Sequence, residues 1–412
     1  MSGKTKIHSV NKDVFFSWFK VILISVLLLS GSSYYLFSQL SSTLESLTET
    51  RSFILTITIT YENRSPQRKI WNLTETERAI SLFMNNSWQT VYVLNASYPI
   101  SEIRKDDDGN PIAYLSFPES IIPSEENLTY QISYRIILKP HSMPVINENN
   151  SGSLNDIPRN LKSLYCRDDG PWQMTRKEIR DLAFRIRGNE TNVLTLLKRY
   201  IQWIKGKISY RAQDLPQYPL ETLNVESGDC DDQANLLIAF CRTVGIPAYL
   251  QIGCIYLPGR DYKTVHWDKH WILRLTRIGW HGWAMVYVPP WGWLPVDLTY
   301  APGVSSNPMN AIRKAAVAIY PVAQYANITE TDYIAYSRSY RKFLLSNGFR
   351  IYESNVMSEE TERYSQREGF RLPRLYIFVC SSVFVSSIVR TSLAIKRLFC
   401  TAKWSKLANA YK

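Results

Sequence analysis

The stretch Ser227-Gly228-Asp229-Cys230-Asp231-Asp232 decides how this chain is read. A small, flexible pair precedes a cysteine, and an apolar helical pattern starts at that cysteine. Ala234, Leu237, Ile238 and Cys241 recur at helical intervals and share one face. The run stops at Gly245-Ile246-Pro247, residues that end a helix. Cys230 therefore sits at a helix N-terminus, where unpaired N–H groups and the helix dipole favour thiolate over thiol. Downstream, His281 and Asp297 each fall on a strand-like stretch. Cysteine, histidine and carboxylate are the parts of an activated-thiol acyl-transfer site, because the thiol needs a base and the base needs an orienting group. The alternative for Cys230 is a buried core cysteine, which the polar neighbours Asp229, Asp231 and Asp232 disfavour.

Four blocks carry a family resemblance. They are Gly228-Asp229-Cys230-Asp231-Asp232, then Cys241-Arg242-Thr243-Val244-Gly245-Ile246-Pro247-Ala248, then His281-Gly282-Trp283-Ala284-Met285-Val286-Tyr287-Val288, then Gly292-Trp293-Leu294-Pro295-Val296-Asp297-Leu298-Thr299. In this order they resemble the transglutaminase-like superfamily over roughly residues 175–300. The resemblance implies an α+β, papain-like core in which a strand pair brings His281 and Asp297 together and a helix presents Cys230 from the other side. It implies a catalytic triad of Cys230, His281 and Asp297, with no cofactor and no metal. Met285 stands where the family often has an acidic residue, and Gly282 replaces an alanine.

His270 is the rival base, since His270-Trp271 also opens a strand, but the family interval to Asp297 belongs to His281. His266 and His270 are four residues apart, yet Trp267 stands where a zinc helix of this spacing carries glutamate, so no metal is assigned. The backbone N–H of Cys230 is a natural oxyanion donor. Trp203, Tyr210 and Gln213 are all candidates for the second. Cys166, Cys241 and Cys254 complete an outer set that implies no full disulfide framework.

Working outward, Phe53-Ile54-Leu55-Thr56-Ile57-Thr58-Ile59-Thr60-Tyr61 alternates apolar and hydroxyl residues as a half-dry strand does. Residues 90–94, 112–117 and 128–138 read likewise. Asp106-Asp107-Asp108-Gly109-Asn110 lacks the ligand spacing of an EF-hand and reads as a hairpin turn. An antiparallel β-sandwich domain is expected over residues 41–148 and the catalytic domain over 149–370. Thr175 with Glu178 predicts a capping box before a helix through Ile186, and a second helix runs from Val193 to Ile204. Further helices are expected over 311–319 and 332–345.

The ends place the chain in a membrane. Residues 14–40 form an apolar segment after Lys4, Lys6 and Lys12, long enough to span as a helix, with a cleaved signal peptide as the alternative. Residues 371–395 give a second, shorter segment, a span or else an amphipathic surface helix. The basic tails, 1–13 and 396–412, belong on the cytoplasmic side. Much of the net charge of +12 lies at the ends, which argues against nucleic acid as a partner. Asn63, Asn72, Asn85, Asn95, Asn127, Asn149, Asn189 and Asn327 head glycosylation sequons, all between the two apolar segments. The reading is a membrane-anchored cysteine hydrolase or acyltransferase acting on amide bonds of peptides or proteins outside the cytoplasm. The alternative is a non-catalytic peptide- or glycan-binding protein on the same fold.

Overall fold

Phe53, Leu55, Ile57, Ile59 and Tyr61 are buried while Thr56, Thr58 and Thr60 between them are not, so strand β1 (Arg51–Asn63) has one dry face. A computed structural model describes residues 49–360. The segments 14–40 and 371–395, and both tails, lie outside them. Among the described residues no helix is long and apolar enough to cross a membrane.

Strand β1 belongs to an eight-stranded sheet. Its other members are β2 (Gln89–Ala96), β3 (Asn127–Leu138), β4 (Ala248–His266), β5 (Trp271–Val288), β6 (Gly292–Val296), β7 (Val322–Ile328) and β8 (Phe349–Glu359). The order is β7-β4-β5-β8-β1-β3-β2, with β6 paired to the far end of β5. One edge of β1 pairs antiparallel with β3 and the other with β8, and β8 runs parallel to β5. The self-contained β-sandwich expected over residues 41–148 is therefore corrected: its long strands extend the sheet that carries His281. Alternation shows that a strand has a dry face but not which strand it pairs with, and here the partner β8 lies near the end of the described chain.

A three-stranded sheet (Ala79–Ser81, Ile100–Lys105, Pro111–Leu115) adds a second layer. Phe83 meets Tyr134 of β3 and Tyr325 of β7 edge-on, with centroids 5.9 and 5.4 Å apart, so one core serves both halves of the sequence. The turn at Asp106 to Gly109 closes with Gly109 N–H donating to the Asp106 carbonyl at 3.0 Å, and the glycine supplies a φ of +82°. Asp108 then accepts backbone N–H groups of Thr329, Glu330 and Thr331, which ties this turn to the end of β7.

Helices Lys177–Arg187 and Val193–Lys207 bury Ile179, Ala183, Leu196, Leu197, Tyr200 and Ile201, and the second is capped by Asn192. The capping box expected at Thr175 is not made: the helix starts from Arg176 without a side-chain cap, and Thr175 donates to Asp168 instead. The helix expected over 311–319 is two short turns, Asn310–Arg313 and Ala316–Ile319. The break between them serves the site described next.

Candidate active site

Helix Cys230–Thr243 is almost wholly buried, and its first residue is the cysteine. Asp232 reaches back to accept the Asp229 N–H at 3.1 Å, and it also accepts the backbone and side-chain N–H groups of Gln217 at 2.7 and 3.0 Å. Gly228 is needed for this, since a Cβ there would stand 2.6 Å from the Asp232 Cβ. The sequence around Cys230 is thus a tight cap that aims the helix start at the sheet.

His281 lies on β5 directly opposite Gly253 of β4. A Cβ on Gly253 would come within 2.6 Å of the Ala323 carbonyl and 2.8 Å of the Trp283 ring, so the glycine leaves room for the side chains flanking His281. The β5–β6 register pairs Ala284 with Val296, which sets Asp297 on the diagonal from His281 on the same face. Nε2 of His281 is 2.9 Å from Oδ2 of Asp297, and both side chains are 1% exposed. The ring N–H points off the line to Oδ2, so charge holds this pair more than an aligned hydrogen bond does. The other Asp297 oxygen accepts the N–H groups of Thr299 and Tyr300 at 3.0 and 2.9 Å, and Oδ2 also accepts that of Ala316 at 3.0 Å. Ala316 opens the second short turn, and the break before it turns this N–H toward the carboxylate.

The electrostatics follow. Burial disfavours an imidazolium at His281, but the Asp297 carboxylate 2.9 Å away, followed by contributions from Cys230, lifts it to about 10. Burial likewise works against ionised Asp297, and the His281 charge with the backbone donors holds its carboxyl below the ordinary range. Both residues are therefore charged at neutral pH. Cys230 interacts with the same imidazole, and Nδ1 is the ring atom left to face it once Nε2 is against Asp297. The Tyr300 ring lies 5.1 Å from that of His281.

The rival residues are placed elsewhere. His270 Nδ1–H donates to the Phe349 carbonyl at 2.6 Å, and His266 pairs with Asp214 at 2.9 Å. Gln213 and Tyr210 flank the Cys230 turn, with Gln213 N–H on Asp229 at 3.3 Å and Tyr210 in register with Gly228, whereas Trp203 packs edge-on to Phe240 in the core. Asp229, Cys230 and Asp231 bring one ligand atom each within 4.8 Å of one another. Burial and the charges of Asp231 and Asp232 push the Asp229 carboxyl well above the ordinary range.

Residues 180–298 match the sequence model of the transglutaminase-like superfamily. This transglutaminase-like segment holds Cys230, His281 and Asp297 together. No curated protein matches the chain in sequence at a significant level. Among solved structures the chain is similar to a candidate cysteine protease from Cytophaga hutchinsonii, at 16% identity and TM-score 0.42 over 80% of this chain and 98% of that chain. It is similar to the periplasmic domain of TgpA from Pseudomonas aeruginosa, solved with ethylmercury, at 17% identity and TM-score 0.29 over 63% of this chain and 94% of that chain. Red sea bream transglutaminase is similar at 10% identity and TM-score 0.25 over 66% of this chain and 50% of that chain.

Two supports of the transglutaminase-like segment escape sequence reasoning. Arg242 is fully buried, donating to the carbonyls of Ala248 and Thr329 at 2.7 and 2.8 Å, pairing with Asp169 at 3.1 Å and stacking 3.7 Å over Trp172. It stands in a quoted block, but an arginine near a helix end ordinarily reads as solvated. The second is Tyr333, whose hydroxyl donates to Asp231 at 2.9 Å from a helix about a hundred residues away in sequence, with no local signal.

Proposed function

We propose that this protein is a membrane-anchored cysteine hydrolase or acyltransferase that acts on amide bonds of peptides or proteins outside the cytoplasm. The observation that supports it most is the buried His281–Asp297 ion pair, 2.9 Å apart, set beside a cysteine on a helix N-terminus. In this reading the Cys230 thiolate, paired with the His281 imidazolium, attacks the amide carbonyl, and the imidazolium gives its proton to the leaving amine. Water then releases the acid, or an amine acceptor takes the acyl group. Asp297 holds the ring and its charge. The anchoring part of the proposal rests on the apolar segments in the sequence. It fits the position of β1 and β8, which are antiparallel neighbours with Phe53 opposite Glu359, so the chain enters and leaves the sheet side by side.

The test is trapping of a thioester. Full-length protein incubated with a peptide library and quenched in acid should carry an acyl group on Cys230. Cys230→Ser should give no hydroxylamine-labile adduct and no turnover. An absence of acylation in the folded wild type would sink the enzyme reading. The reading as a peptide- or glycan-binding protein has one observation in its favour: Cys230 is only 3% exposed, so a substrate must open the site before it meets the thiol.

A further inference from the structure

Asp231, the residue after Cys230, is 2% exposed, and its carboxylate has a defined set of neighbours. The Sγ of Cys230 lies 3.9 Å from Oδ1, the distance of an S–H donor to an oxygen. Oδ2 accepts the Tyr333 hydroxyl at 2.9 Å. The Tyr333 oxygen itself accepts Asn235 Nδ2 at 2.6 Å, which leaves the hydroxyl proton to point at Asp231. Two helices are thereby joined through one carboxylate that touches the nucleophile.

We propose that Asp231 is a positioning residue that competes with His281 for the Cys230 thiol, with Tyr333 fixing its orientation. This rests on the reading of Cys230 as the nucleophile. The sulfur lies between a carboxylate, which favours the protonated thiol, and an imidazolium, which favours the thiolate. With its proton held toward Asp231 it is a resting thiol, and paired with His281 it is the thiolate. A negative carboxylate beside sulfur also makes the thiolate costlier. Asp231 acts as a negative charge on its buried neighbours. Burial and the charge of Asp231 lift Asp232 to about 8, and burial with the charges of Asp231 and Asp232 lifts Asp229 well above its ordinary value. The other groups facing this point are His281 and Asp297 from the sheet, Tyr300 beside the imidazole, and Tyr333 from its own helix. Lys205 is turned to Gln233, at 3.2 Å, on the flank of the same helix.

The experiment is the pH profile of iodoacetamide labelling at Cys230 in the full chain, read by mass spectrometry. Asp231→Asn keeps the shape and can still accept from Tyr333. It should move the midpoint of the profile down by about one pH unit, the effect of removing a like charge at contact distance. Tyr333→Phe takes the positive end of the hydroxyl dipole from the carboxylate and should move the midpoint up. A merely structural role would lower the melting temperature of either variant and leave the midpoint in place, and midpoints unchanged in both overturn the proposal. A wild type whose Cys230 reacts no faster than Cys166, Cys241 and Cys254 overturns the catalytic reading and this proposal with it. A fast wild-type Cys230 with unmoved variants removes this proposal alone.

Discussion

The backbone N–H of Ala316 donates to Oδ2 of Asp297 at 3.0 Å, the oxygen that also faces His281. Both Asp297 oxygens are thus surrounded by donors, and no neighbour accepts from the group. The break between the turns Asn310–Arg313 and Ala316–Ile319 gives up helical hydrogen bonds to make this contact. It holds a carboxylate, and specifically a charged one, behind the imidazole.

Asp297→Asn should therefore be far from silent. The amide NH₂ would face donors, and His281 would lose the charge that keeps it protonated, so burial would then push the imidazole down. Labelling of Cys230 at pH 7 should fall about tenfold or more, with a loss of stability on the order of 2 kcal/mol for the unmatched buried donors. A variant that labels at the wild-type rate would show that Asp297 does not support the base.

Stability should fall as pH rises from about 5 to 9. The groups raised in the fold include Asp229, Glu77, Asp232 at about 8, Asp106 at about 8 and His281 at about 10. A raised acid contributes stability that is full below its unfolded value of about 4 and is lost as pH climbs through the folded value. For His281 the loss runs from about 6.5 upward through the folded value. Lowered groups such as Asp297 and Glu62 act in the opposite direction only on the acid side, where protonation removes their contribution. Thermal melts at pH 5, 7 and 9 should give a falling series, and a melting temperature that rises over this range would contradict the assigned protonation states.

Arg242 is the structural residue whose loss should cost most. Arg242→Ala removes a cation with no exposed side-chain surface, takes the Arg242 donors from the Ala248 and Thr329 carbonyls, and leaves Asp169 paired to Arg167 alone. The cost should be about 3 kcal/mol, the scale for leaving two buried carbonyls without their charged donor. Arg242→Lys should recover only part of it, because a single ammonium cannot span the three acceptors or stack on Trp172. Chemical denaturation measures both, and a difference under 1 kcal/mol between wild type and Arg242→Ala would refute the buried-clasp role.

What is legible in the sequence is what local patterns encode. The helix Cys230–Thr243 has a clear apolar face and a Gly-Ile-Pro stop, β5 carries His281, and β6 ends one residue before Asp297, which the sequence places on the strand itself. The sheet partner of β1 is not local: Arg51 pairs with Glu359, 308 residues away. The break before Ala316 is hidden because Lys314-Ala315-Ala316 are good helix formers, and the demand of Asp297 for a donor overrides propensity. Tyr333 and Asp231 meet only through tertiary packing, so neither could be marked from its neighbours in the chain.

The sequons separate by burial, and this makes the outer placement testable site by site. Asn63 is fully buried and donates to the carbonyls of Lys69 and Ile122 at 2.7 and 2.8 Å, so its nitrogen is committed to the fold. A glycan there would break both bonds and expose the core around Trp71. Asn85 and Asn327 are half-buried, Asn85 accepting the Val91 N–H at 2.7 Å and Asn327 accepting from Gln251 at 2.9 Å. Asn72, Asn95, Asn127, Asn149 and Asn189 are exposed. If the middle of the chain passes through a glycosylating lumen, glycopeptide mapping of the full-length protein should find sugar at these five and none at Asn63. Replacing Asn63 by Asp should destabilise the protein without changing its glycan mass, because the lost donor is structural. Unmodified asparagine at all five exposed sites, in a host that glycosylates, would place this region on the cytoplasmic side.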